Sequence, residues 1–187
     1  FADGSRTRCC DHHWWRVRRS SGNWRLMRLQ DIMRDDKSRW HIPAVEPVEF
    51  DHRGARQIDP YLLGALLGDG DFPADGSVGF TSADDEVLKL VGAALPAGME
   101  ARHQARYNWR LVATSRSVPN PLRAALAALG LMGQKAATKF IPEEYLFAPV
   151  DARLEMLRGL MDTDGFIDAQ GRMSFASASP QLAADVQ

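Results

Sequence analysis

The 187-residue chain predicts a mixed α+β fold that uses one helical unit twice, behind a strand-rich amino-terminal segment. The first observation is an internal repeat, which has to be read before any single element. Leu62-Leu63-Gly64-Ala65-Leu66-Leu67-Gly68-Asp69-Gly70 is answered by Leu157-Arg158-Gly159-Leu160-Met161-Asp162-Thr163-Asp164-Gly165. The two aspartates (69 and 164) lie 95 residues apart, room for one compact αβ subdomain per copy. The second observation is strand-like alternation around both copies and before them.

Taken in order, residues 1 to about 50 are aromatic- and arginine-rich, with Trp14, Trp15, Trp24 and Trp40. His13-Trp14-Trp15-Arg16-Val17-Arg18 alternates as a strand, and Ser20-Ser21-Gly22-Asn23 reads as a hairpin turn. Leu29 to Arg34 is expected as a short helix, and Ile42 to Pro60 as an extended, proline-bearing linker. Pro60 starts the first repeat helix. A strand follows over Ser77 to Thr81, then a helix capped at Ala83-Asp84-Asp85 and running to about Leu95. A hairpin over Met99 to Ser115 turns near Tyr107-Asn108. A third helix runs from Pro121 to about Leu131 and ends at Gly133. The second repeat helix starts near Asp151, and a strand pair around Phe166 to Ser177 turns at Gly171. Ser179-Pro180 begins a last helix with a good cap. The expected domains are therefore 1–50, a linker over 51–59, 60–150 and 151–187.

Within each copy, Gly64 and Gly68, or Gly159 and Thr163, share one helix face, since residues four apart are neighbours. Small residues at that spacing let two backbones approach closely. Gly70 and Gly165 are expected to stop each helix in the left-handed conformation. Asp69 and Asp164 then fall at helix C-termini, where a negative charge costs roughly 0.3–1 kcal/mol. Two such ends brought together would repel unless a cation lay between them, and a divalent ion with oxygen ligands would serve.

These two stretches resemble the paired dodecapeptide (DOD-type) motifs of LAGLIDADG homing endonucleases. The resemblance implies two pseudo-symmetric αββαββα halves meeting at the motif helices, the second half truncated here. It implies that Asp69 and Asp164 bind Mg²⁺, or another divalent cation, and position water for DNA strand cleavage. Leu67 departs from the motif, at a place where the second copy keeps Asp162; that place is not the metal ligand. Lys139, within Lys139-Phe140-Ile141-Pro142, resembles the block carrying a catalytic lysine; its bland reading is a surface salt bridge.

The amino-terminal segment resembles a block of the splicing (Hint) domain of inteins, over Phe1-Ala2-Asp3-Gly4-Ser5 to Cys10-Asp11-His12-His13-Trp14. Cys10 stands at the threonine position of its Thr-x-x-His pattern and His13 at the histidine, implying that His13 assists splicing. Two rival readings stay beside it. Cys9, Cys10, His12 and His13 could be plain structural residues, or zinc ligands, although strand neighbours point to opposite faces and hinder a tetrahedral cage. The chain is expected to be a fragment, lacking the amino-terminal nucleophile and terminal His-Asn pair that splicing needs.

Composition excludes several classes. No apolar run approaches the roughly 18 residues of a membrane span. No secretory signal is visible, and Cys9 and Cys10 are the only cysteines, so a cytoplasmic (intracellular) setting is expected. The net charge of −1 hides a basic stripe over residues 101–142, with Arg102, Arg106, Arg110, Arg116, Arg123, Lys135 and Lys139 and no acidic residue. Such a stripe suits phosphate binding, though a solvated face reads the same way. On a period of two, Arg102, Gln104 and Arg106 share one hairpin face with Arg110 across from them. A two-stranded ribbon fits the major groove, where Arg pairs with guanine and Gln with adenine, so these four are the expected DNA contacts.

The leading expectation is a site-specific, metal-dependent endonuclease of an intein, acting on double-stranded DNA. Flanking host segments (exteins) would be its partners in a precursor. The alternatives are a splicing element with a decayed, non-catalytic LAGLIDADG scaffold, and a DNA-binding regulator on the same fold.

Overall fold

Two compact units, Phe1–Pro47 and Val48–Gln187, divide the computed structural model. It describes every residue except 1–3, 5, 36, 37, 52, 53, 55, 116 and 118. Phe1, Ala2, Asp3 and Ser5 of the amino-terminal block, and Arg116 of the basic stripe, lie outside the described residues.

In the first unit, strand β1 (Trp14–Arg19) pairs antiparallel with β2 (Arg25–Arg28) and with β3 (Trp40–His41). Helix α1 spans Leu29–Arg34. The alternation of β1 buries Val17 and leaves Arg16 and Arg18 exposed, where both guanidinium groups lie over the Trp24 ring. Such contacts stabilise by roughly 0.5–1 kcal/mol each at exposed sites.

The second unit begins with α2 (Pro60–Asp69), β4 (Gly70–Asp71), β5 (Val78–Thr81) and α3 (Asp85–Ala94). It continues with β6 (Met99–Ala105), β7 (Asn108–Ala113) and α4 (Pro121–Ala128). The order is helix, strand, strand, helix, strand, strand, helix, with an antiparallel sheet in the order β4-β5-β7-β6. A 3₁₀ turn over Ala136–Thr138 and a short helix α5 (Glu143–Leu146) lead to α6 (Val150–Asp164). A ribbon of β8 (Gly165–Ile167) and β9 (Met173–Phe175) and a helix α7 (Pro180–Val186) complete it. Among the described residues, no helix is long and apolar enough to cross a membrane.

Local chemistry explains the boundaries. The Asp59 carboxylate accepts from the Leu62 amide at the start of α2, and Asp84 from the Glu86 and Val87 amides at the start of α3. Helix α4 ends three residues before the expected Leu131. Gly130 takes φ +72°, and the Leu131 amide donates back to the Leu126 carbonyl, which closes the helix. The two repeats also agree beyond the motif itself. Ser82 accepts from the Asp84 amide and Ser177 from the Ser179 amide, and each cap precedes a buried Val87 or Leu182.

The core of this unit is centred on α2, whose Tyr61 to Leu67 are all buried. Tyr145 ties the approach to α2 in place: its hydroxyl donates to the Ile58 carbonyl (2.8 Å) and accepts from the Ile58 amide (3.2 Å). Burial pushes that phenol up to about 12.

Candidate active site

Helices α2 and α6 meet through their small residues. A Cβ on Gly64 would lie 2.0 Å from the Met156 carbonyl oxygen, and one on Gly159 would lie 2.2 Å from the Tyr61 carbonyl oxygen. Positions 61 and 156 are themselves equivalent in the two copies, so the two contacts are one contact repeated. Further along, a Cβ on Gly68 would meet the Thr163 hydroxyl at 2.0 Å. The contacts advance together along both helices, so the pair is parallel and both aspartates arrive at the same end.

Each helix terminates on its aspartate and passes straight into a strand. This corrects the expectation for the following glycines: Gly70 (φ −81°, ψ 153°) and Gly165 (φ −88°, ψ 156°) are extended, not left-handed. Glycine is needed there for space. A Cβ would lie 2.3 Å from the Leu66 carbonyl oxygen in one case and 2.3 Å from that of Met161 in the other.

Asp69 and Asp164 are both half-buried. Burial, then the Asp164 charge, pushes the Asp69 carboxyl above the usual carboxylate range, against the pull of the Lys139 ammonium. Burial likewise raises Asp164, again opposed by Lys139. Lys139 is only 4% exposed, which removes the surface salt bridge as its role. Its ammonium donates to the carbonyls of Leu66 (3.1 Å), Leu67 (2.9 Å), Gly68 (2.9 Å) and Gly70 (2.8 Å). It therefore caps the negative end of α2 and lies 5.1 Å from the centre of the Phe72 ring. Burial holds it down from 10.5 to about 8 despite the raising charges of Asp164, Asp69 and Asp71. The backbone beside it is fixed by Ser179, whose buried hydroxyl donates to the Lys139 carbonyl (2.6 Å) and accepts from the Leu182 amide. A cavity of about 330 Å³ opens here, lined by Gly68, Lys139, Asp164 and Ser177 among others.

The donor set fits a hard divalent cation. Two carboxylates that resist ionisation beside one another gain most from such an ion, and oxygen ligands are what Mg²⁺ takes. Among the described residues no three His, Cys, Asp or Glu side chains converge, so the protein's side-chain share of that coordination would be these two carboxylates. Asp162 is placed elsewhere: it accepts from the Tyr61 hydroxyl (3.0 Å).

The structure brings part of the expected reading face together. Arg102 and Arg110 are directly opposed across β6 and β7, and with Gln104 they line a depression of about 420 Å³. The opposite face carries Met99, Ala101, Trp109 and the fully buried Leu111 against the core. Arg106 does not join the face. A register shift between His103 and Ala105 ends the alternation, and Arg106 sits in the turn at φ +50°. Two further members of the basic stripe are inward-working groups. Arg123 donates to the carbonyls of Pro73, Ala74 and Gly76 and fastens that loop, and Lys139 is buried. His13, in the first unit, is exposed and packs edge-on against Trp15 at 5.4 Å.

Sequence reasoning missed Asp71, Tyr145 and Ser179 as parts of this architecture. Ser179 was legible as a helix cap, but its bond to Lys139, forty residues away, leaves no local signal.

Residues 151–187 match the family described as LAGLIDADG-like domain. The chain is 33% identical over 129 residues to the replicative DNA helicase DnaB of Mycobacterium intracellulare, covering 69% of this chain and 18% of the relative. It is 31% identical over 173 residues to a DNA gyrase protein of Mycobacterium gordonae, covering 86% and 30% respectively. It is 29% identical over 141 residues to an iron–sulfur cluster assembly SufBD family protein of Mycobacterium leprae, covering 68% and 15%. The chain thus spans between 15% and 30% of the length of these relatives.

Proposed function

We propose that this chain is the homing-endonuclease region of an intein and hydrolyses phosphodiester bonds of double-stranded DNA in a metal-dependent reaction. The observation that carries the reading is the parallel α2–α6 pair, which delivers Asp69 and Asp164 to one end beside the buried Lys139 ammonium. The LAGLIDADG-like match over residues 151–187 supports it at the level of family.

The three relatives support the intein part. A helicase, a gyrase and an iron–sulfur assembly protein share no activity by name, yet each aligns with this same chain over a minor part of its length. An element inserted into unrelated hosts behaves in that way. In such a precursor the flanking host segments are the exteins, and His13 assists cleavage of the amino-terminal splice junction.

At the candidate centre, Asp69 and Asp164 hold the cation by carboxylate oxygens. When bound, a divalent ion supplies charge stabilisation for the attacking and leaving oxygens of the scissile phosphate. Lys139 contributes a fixed positive charge. Its three protons are shared among four carbonyls, so it acts on the developing phosphate charge and on the neighbouring water through space. Arg102, Gln104 and Arg110 face the duplex. In the free protein each arginine is paired with a carboxylate, Arg102 with Glu100 (2.6 Å) and Arg110 with Asp71 (3.6 Å), so the two opposed arginines are held on this face where phosphates can reach them.

The test begins by selecting bound duplexes from a randomised DNA pool with the complete parent protein that carries this chain and adding Mg²⁺. Cleavage of both strands is expected, with Asp69→Asn and Asp164→Asn each abolishing it while DNA binding is largely kept. Double-strand cutting by either variant at the parent's rate removes the assignment.

A further inference from the structure

A row of residues crosses the four-stranded sheet from the motif end toward its far edge. Asp71 on β4 is opposite Gly79 on β5, Gly79 is opposite Arg110 on β7, and Arg110 is opposite Arg102 on β6. Gly79 is the gap in this row. A Cβ there would stand 2.8 Å from Arg110 Nη1 and 3.2 Å from the Asp71 Cβ. Across the gap Arg110 Nη1 reaches Asp71 Oδ2 at 3.6 Å, and it donates to the Ser77 carbonyl at 3.2 Å.

Arg110 is thereby held by one nitrogen only. Among the described residues, no hydrogen bond or ion pair engages its Nη2 or Nε. That edge of the guanidinium is a two-donor fork, the geometry that pairs with the O6 and N7 of guanine in the major groove. An arginine free in solution has many rotamers to lose when it reads a base, and an anchored one has few. Asp71 also directly follows the Asp69-Gly70 end of the motif, so the anchored arginine is fastened to the segment that carries the proposed cleavage centre.

We propose that Asp71 is a positioning residue that, through the gap left by Gly79, fixes Arg110 as a reader of one guanine near the cleavage point. The inference rests on the nuclease reading above and adds to it a specificity determinant in the first repeat. In the second repeat Phe166 and Ser174 stand at the positions equivalent to Asp71 and Gly79.

The experiment is selection from a randomised duplex pool with the chain and with Arg110→Ala, Asp71→Asn, Gly79→Ala and the Asp71→Asn/Arg110→Ala pair. Arg110→Ala is expected to relax preference at one base pair by roughly 5- to 150-fold. Asp71→Asn and Gly79→Ala are expected to relax the same base pair and no other. The double variant is expected to match Arg110→Ala alone, a non-additivity that a merely destabilising change does not produce. Unchanged preference in Asp71→Asn, or relaxation spread over the whole site, overturns the inference while leaving the nuclease reading intact. A parent chain that selects no sequence overturns both.

Discussion

The two repeats share a motif and differ in what surrounds its end. After Asp69 the chain enters a four-stranded sheet, and the carbonyl end of α2 is capped by the Lys139 ammonium. After Asp164 it enters the equivalent strand pair, with Gly165 opposite Phe175 as Gly70 is opposite Phe80, and Thr163 stands where the first copy has Gly68. There Thr163 turns its hydroxyl back to the Gly159 and Leu160 carbonyls, both at 3.0 Å. The helix pairing is therefore fixed by the motif itself, through small residues and steric contact. The cation at the helix end is supplied from outside the motif, seventy residues on from the first copy. Packing and chemistry have separate origins, and substitutions can separate them.

The largest effect is expected at the chemical end of the first repeat. Lys139→Met keeps an apolar stem but removes the charge, and cleavage should fall by about 10²–10³-fold, the usual scale for an electrostatic stabiliser. Single-turnover cleavage at saturating Mg²⁺ measures it. The pH dependence sharpens the point, because function and stability move in opposite directions. The folded chain holds Lys139 at about 8 against 10.5 unfolded, so between those values it binds fewer protons than the unfolded chain. This group therefore costs stability below pH 8, and the cost is relieved as pH rises through 8 to 10.5. Cleavage, which needs the ammonium, should instead decline as pH rises past about 8. A decline that tracks unfolding would show that Lys139 is only structural.

The next effect concerns packing. Gly64→Ala drives a methyl group into the Met156 carbonyl and should destabilise by about 3 kcal/mol, read by urea unfolding. The smallest effect is its control. Gly92, in α3, has nothing within 4 Å of an added Cβ, and Gly92→Ala should stabilise by about 0.5–1 kcal/mol. Equal behaviour of the two variants would remove close helix approach as the reason for the motif glycines.

What the sequence made legible was what repeats or is local. Gly64, Gly68 and Gly159 recur at helical spacing, and Asp69 and Asp164 end their helices as expected. Gly70 and Gly165 were misjudged because a glycine before a turn and one before an immediate strand look alike; only the nearby carbonyl tells them apart. Arg106 was misplaced by a register shift that a strict period of two cannot anticipate. Arg123 and Lys139 both belong to the basic stripe, yet both bind carbonyls of distant segments, which no local pattern announces. Asp71 escaped notice because its partner Arg110 is reached only across the sheet, through the side chain that Gly79 lacks.

The central claim is that Asp69 and Asp164 together hold a divalent cation at the paired helix ends. Manganese, a spectroscopic substitute for Mg²⁺, tests it by electron paramagnetic resonance titration of the chain bound to a selected duplex. Partners outside the coordination sphere alone are worth about 10–100-fold in metal affinity, so loss of a ligand should cost at least about tenfold. The account predicts that weakening in both Asp69→Asn and Asp164→Asn, with Asp162→Asn binding as the parent does. Parent-like Mn²⁺ affinity in Asp69→Asn or Asp164→Asn would contradict it.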